Sequence, residues 1–101
     1  MYAKYRSYTL AGKEHLHVHL AVNPTGFIDV EIMEKHKRLN AEFEDLCFED
    51  HGDTTELDCV EHYKPKHKLW HIDLSCNDAK ELTTLIDDAK EEYEILMRDL
   101  C

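Results

Sequence analysis

Residues 23–47 read NPTGFIDVEIMEKHKRLNAEFEDLC, and two periodicities compete in them. Ile28, Ile32, His36, Leu39, Phe43 and Leu46 recur at spacings of three and four, the stripe of a half-buried helix. Against this, Asn23-Pro24-Thr25-Gly26 is a good type I turn with glycine in the last place. Phe27–Ile32 then alternates as a third strand would. Whichever period wins decides whether the chain holds one helix or two.

The flanking sequence is easier to read. Residues 2–10 and 15–22 alternate with period two on either side of Ala11, Gly12 and Lys13, which suits a hairpin. Leu16, Val18, Leu20 and Val22 point to one face of the second run, and His15, His17, His19 and Ala21 to the other. Glu56–Tyr63 and Leu69–Cys76 form a second hairpin candidate around Lys64-Pro65-Lys66-His67. Residues 78–100 carry an amphipathic helix through Leu82, Leu85, Ile86, Ala89, Tyr93, Leu96, Met97 and Leu100. Asn77 or Asp78 is its expected N-cap, with Glu81 completing a capping box.

Sliding the chain by 54 residues sets the two halves in parallel: His17 falls on His71, Leu20 on Leu74, Asn23 on Asn77, Ile32 on Ile86, and Asp45-Leu46-Cys47 on Asp99-Leu100-Cys101. By this parallel Asn23 precedes a helix as Asn77 does, so residues 28–47 are expected to be helical. The fold class that follows is α+β, a single domain over residues 1–101 with repeats at 2–47 and 56–101. The expected topology is a permuted ferredoxin-like ββαββα, a four-stranded antiparallel sheet in the order 1-2-4-3 with both helices on one face. The duplication would place His17 and His71 side by side at a pseudo-twofold axis, on the face away from the helices.

Composition narrows the partners. The chain has 22 acidic and 12 basic residues among 101 and a formal charge of −10, which opposes direct nucleic-acid binding. The same charge suits a basic partner, including a nucleic-acid-binding enzyme whose groove takes an acidic surface in place of DNA. No run approaches the roughly 18 apolar residues of a membrane span, so no membrane partner is expected and the chain is placed in the cytoplasm, a host's if it is viral. Cys47, Cys59, Cys76 and Cys101 form no CxxC pair, and reduced thiols are expected.

Two surfaces stand out. His15, His17 and His19 project to one side of a strand at steps of about 6.5–7 Å, and His71 and Asp73 would join them from the neighbouring strand. Imidazole and carboxylate converging in this way are ligands for zinc or another divalent metal. An uncovered polar sheet face, or a homodimer contact titrating through these histidines, would use the same residues without a metal. The segment EHLHVHLAV, residues 14–22, resembles the His-hydrophobic-His strand motif of the HUH endonucleases. That resemblance implies a ferredoxin-like sheet and metal-dependent phosphoesterase activity, with His15 and His17, or His17 and His19, as the metal pair and His71 or Asp73 as the third ligand.

The second surface is acidic. Glu42, Glu44, Asp45, Glu49, Asp50, Asp53 and Glu56 run through the middle of the chain, and Asp87, Asp88, Glu91, Glu92 and Glu94 mark the outer side of the C-terminal helix. No glycine-rich phosphate loop, GxSxG or HExxH is present. The leading expectation is a non-enzymatic inhibitor of a basic nucleic-acid-handling protein, DNA-mimicking in character, comparable in size and charge to phage anti-restriction and anti-CRISPR proteins. A histidine-face metal protein is the alternative, and a homodimeric structural module the third reading.

Overall fold

The computed structural model describes residues 2–99, apart from the side chains of Pro65 and Asp99. Its strands are β1 (Lys4–Thr9), β2 (His17–Asn23), β3 (Phe27–Ile32), β4 (Lys37–Glu42), β5 (Leu46–Asp50), β6 (Thr54–Glu61) and β7 (Lys64–Ser75), followed by the helix α1 (Cys76–Asp99). Each strand pairs antiparallel with its chain neighbour inside two sheets, one in the order β1-β2-β3-β4 and the other β5-β6-β7.

The permuted ferredoxin-like ββαββα fold, with its 1-2-4-3 sheet and two helices, is therefore corrected. Among the described residues there is one α-helix, and the 28–47 segment holds β3, β4 and the start of β5. Two single 3-10 turns, Met33–Lys35 and Phe43–Asp45, separate these strands. The competing periods explain the difference. Ile28 and Ile32 are four apart, a spacing that a helix and a strand both place on one face. Val30 discriminates, because a helix would turn it about 200° from Ile28. It is 1% exposed, beside Ile28 at 0% and Ile32 at 8%, while Asp29 points to solvent. All three apolar residues are β-branched, which favours the pleated conformation further. His36, inside the supposed helical stripe, takes left-handed backbone angles (φ 47°) between β3 and β4.

The 54-residue parallel fails for a related reason. Asn23 Oδ1 accepts hydrogen bonds from the Thr25 N–H (2.9 Å) and hydroxyl (2.6 Å), and the Gly26 N–H donates to the Asn23 carbonyl (3.0 Å), closing a hairpin turn. Asparagine serves turns and helix starts alike. The helix start is also shifted: α1 begins at Cys76, and Ser75 Oγ accepts the Asp78 N–H (3.2 Å), so Ser75 takes the capping role expected of Asn77 or Asp78. Glu81, expected in a capping box, instead accepts the Tyr8 hydroxyl proton at 2.7 Å and lies 3.4 Å from Arg6 Nε. Burial and this carboxylate push the Tyr8 pKa well above its ordinary value. Leu100 and Cys101, matched by the parallel to Leu46 and Cys47, lie outside the described residues.

Both hairpins read from alternation form. β1 pairs with β2 from Lys4↔Val22 to Thr9↔His17, and β6 pairs with β7 around His62-Tyr63, with the strand running through the expected 64–67 turn and a register shift at Val60.

One core joins both sheets to the helix. Ala79, Leu82, Leu85, Ile86 and Ala89 of α1 are buried with Val18, Leu20, Val22, Ile28 and Val30 of the first sheet and Leu57, Ile72 and Leu74 of the second. Fully burying such an aliphatic side chain is worth about 1.5–3 kcal/mol. The sheets are also tied by the Ala11 N–H to the Asp73 carbonyl (2.9 Å) and by the Trp70 indole N–H to the Asn40 carbonyl (3.2 Å). Past Ala89 the burial stops. Tyr93, Leu96 and Met97, expected to continue the core stripe, are 40–42% exposed, and Ile95 beside them is 44% exposed. Ten more residues carry the helix about 15 Å onward, and those from Lys90 to Arg98 are all exposed.

Candidate functional site

The meander separates the histidines that duplication would have gathered. His17 and His19 lie on β2 in the first sheet, opposite Thr9 and Ser7 of β1, with Glu31 of β3 on the other side of His19. Both are exposed. His15 precedes β2 with a left-handed backbone (φ 46°). His71 and Asp73 stand on β7 in the second sheet, opposite Asp58 and Glu56 of β6. His15, His71 and Asp73 do line one shallow depression of about 240 Å³, because residues 10–16 fold back against β7. His17 and His19 are outside it. His17 Nδ1 is 2.6 Å from Glu34 Oε2, and its backbone N–H donates to Glu34 Oε1 (2.8 Å), bonds that hold the Glu34 carboxyl down to about 2.

Two other histidines sit among carboxylates. Among the described residues, Glu44–Asp45–His62 and Glu49–His51–Glu56 are the sets of three that bring one potential ligand atom each within 4.8 Å of one another. Neither includes His15, His17, His19, His71 or Asp73. In the first, His62 Nδ1 is 3.1 Å from Asp45 Oδ1 and 3.8 Å from Glu44 Oε1, and the Asp45 bond raises the imidazole pKa above its ordinary value. In the second, His51 Nε2 is 3.3 Å from Glu56 Oε2 and 3.7 Å from Glu49 Oε2. Those separations are close to the edge of a zinc tetrahedron with bonds of about 2.0–2.2 Å, so Glu49, His51 and Glu56 have the spacing to hold such an ion.

A protein cation already stands at that second cluster. Lys68 Nζ lies 2.9 Å from Glu56 Oε1, 3.2 Å from Glu49 Oε2 and 3.4 Å from Asp58 Oδ2. The three carboxylates hold the Lys68 ammonium pKa well above the ordinary value. Asp58 is 1% exposed, and its Oδ1 has no hydrogen-bond partner among the described residues. Burial and the neighbouring Glu56 push the Asp58 pKa up, while Asp58 and Lys68 hold that of Glu56 down. A strand reading of 46–58 around the His51-Gly52-Asp53 turn would have put Asp58, Glu56 and Glu49 on one face. The reading of 28–47 as a helix obscured that signal.

The acidic surface divides accordingly. Glu44, Asp45 and Glu49 are engaged by His62, His51 and Lys68, and Asp50 Oδ1 accepts the Gly52 N–H (2.8 Å). Glu42 ends β4, and Asp53 is exposed in the β5–β6 turn. Asp87, Asp88, Glu91 and Glu92 are all exposed on α1 and form no salt bridge among the described residues. The pairs 87/91 and 88/92 are four apart, so two short rows of carboxylates run along the helix at about 6 Å intervals. Such rows recognise cations and hydrogen-bond donors.

No helix of the described residues is long and apolar enough to cross a membrane. No protein-family model matches the chain, and comparison with curated proteins and with solved structures found no match either.

Proposed function

We propose that this chain is a non-enzymatic acidic interaction protein that binds and inhibits a basic, nucleic-acid-handling protein, in the manner of phage anti-restriction and anti-CRISPR inhibitors. The observation that carries the reading is the row of unpaired carboxylates Asp87, Asp88, Glu91 and Glu92 on the exposed side of α1. Unlike Glu49 and Glu56, which face Lys68, these carboxylates remain available to a partner's cations. The overall charge of −10 adds long-range steering toward a positive groove. A surface of this kind competes with nucleic acid for the lysines and arginines that neutralise phosphates.

The test is affinity capture from the native host with the wild-type chain and with a variant carrying Asp87→Lys, Asp88→Lys, Glu91→Lys and Glu92→Lys. The expected result is a basic nucleic-acid-binding protein retained by the wild type, displaced by added duplex DNA and not retained by the variant. A captured protein that binds both chains equally, or that duplex DNA fails to displace, overturns the proposal.

A further inference from the structure

We propose that the groove between the β2–β3 turn and the outer half of α1 anchors a large apolar side chain on a basic amphipathic helix of the partner. This rests on the reading of the chain as a binder of a basic protein. Pro24, Phe27 and Phe43 line one side of the groove and Tyr93 the other, around about 530 Å³. That volume is within the range of about 300–1,000 Å³ typical of small-molecule sites and admits a leucine or an aromatic ring. The sheet side is held in place, since the Phe43 N–H donates to the Gly26 carbonyl at 2.9 Å. Phe43 is 8% exposed, whereas Tyr93 remains 41% exposed in the isolated chain. Met97 lies four residues beyond Tyr93 and is 42% exposed, so the apolar surface continues along the helix.

Charge selects the occupant. Glu42, Glu44 and Glu94 border the groove against a single cation, Lys90. An apolar anchor flanked by lysine or arginine matches that border, and a helix laid in a groove is an established mode of recognition. A second copy of this chain does not match, because it would bring another charge of −10 and its own carboxylates to the contact.

The experiment is a ¹⁵N-NMR titration of the full chain with two synthetic helical peptides of equal positive charge, one carrying leucine and tryptophan on its apolar face and one with serine there. The apolar peptide should shift the amides of Gly26, Phe27, Phe43 and Tyr93 and stay bound at about 1 M salt, where the Debye length is about 3 Å. Tyr93→Ser, at an exposed helical position, should weaken it by about tenfold or more, roughly 1.4 kcal/mol, with an unchanged melting temperature. If the shifts are confined to residues 87–92 and both peptides dissociate in salt, the groove is overturned while the acidic-surface reading stands. If neither peptide binds at low salt, both fail. Groove shifts that depend on protein concentration without peptide would assign the groove to a second copy and overturn the proposal.

Discussion

Asp58→Asn should stabilise this protein near neutral pH and leave it nearly unchanged in mild acid. Asp58 lies on β6, the central strand of its sheet, with its side chain buried and Oδ1 unpartnered among the described residues. Desolvation first, then the Glu56 carboxylate, push its pKa from the ordinary 3.8 to about 6. At about 1.4 kcal/mol for each tenfold change in proton affinity, ionising it in the folded chain costs on the order of 3 kcal/mol more than in the unfolded one. The folded state holds the proton more tightly. Its contribution to stability is therefore greatest below pH 3.8, falls as pH rises toward about 6, and is flat above. Asparagine avoids the ionisation. It also removes one of the three carboxylates around Lys68, but that attraction already lowers the Asp58 pKa within the net rise to about 6, and Lys68 keeps Glu49 and Glu56. The net gain at a pH above the folded pKa is therefore on the order of 3 kcal/mol. Urea denaturation of both chains at about pH 7.5 and about pH 4 measures it, with the difference shrinking below about 1 kcal/mol at the lower pH. A variant less stable than wild type at pH 7.5, or a gain of equal size at both pH values, would refute the reasoning.

Two further outcomes follow from the same structure. His62 should titrate above 6.5 in an NMR pH series, and Asp45→Asn should bring its midpoint down, because the Asp45 hydrogen bond is the main cause of the rise; the stabilisation from this pair is complete below the unfolded imidazole pKa and is lost as pH rises through the folded one. Leu82→Ala, which empties the centre of the helix–sheet contact, should cost about 2–5 kcal/mol in chemical denaturation, and a loss under 1 kcal/mol would show that α1 does not pack there.

Local pattern by itself determined a good deal of this protein. Val18, Leu20 and Val22 of β2 alternate with His17 and His19, and that alternation alone places a strand with one buried face. Leu82, Leu85, Ile86 and Ala89 recur at helical spacing, and the helix they mark turns Asp87, Asp88, Glu91 and Glu92 outward. The acidic half of the candidate surface was legible for that reason, as was the net charge of −10. Tertiary structure decided what local pattern leaves degenerate. A spacing of four suits both periods, so Ile28 and Ile32 could not choose between helix and strand; burial of Val30 in a core shared with Leu20 and Leu82 chose the strand. It also decided which charges meet. Lys68 reaches Glu49 and Glu56 from 19 and 12 residues away, and Tyr8 finds Glu81 across 73. Such pairings depend on strand register and on where the helix crosses the sheets, which are set by the burial free energy of the whole core and are carried by no single stretch of the chain.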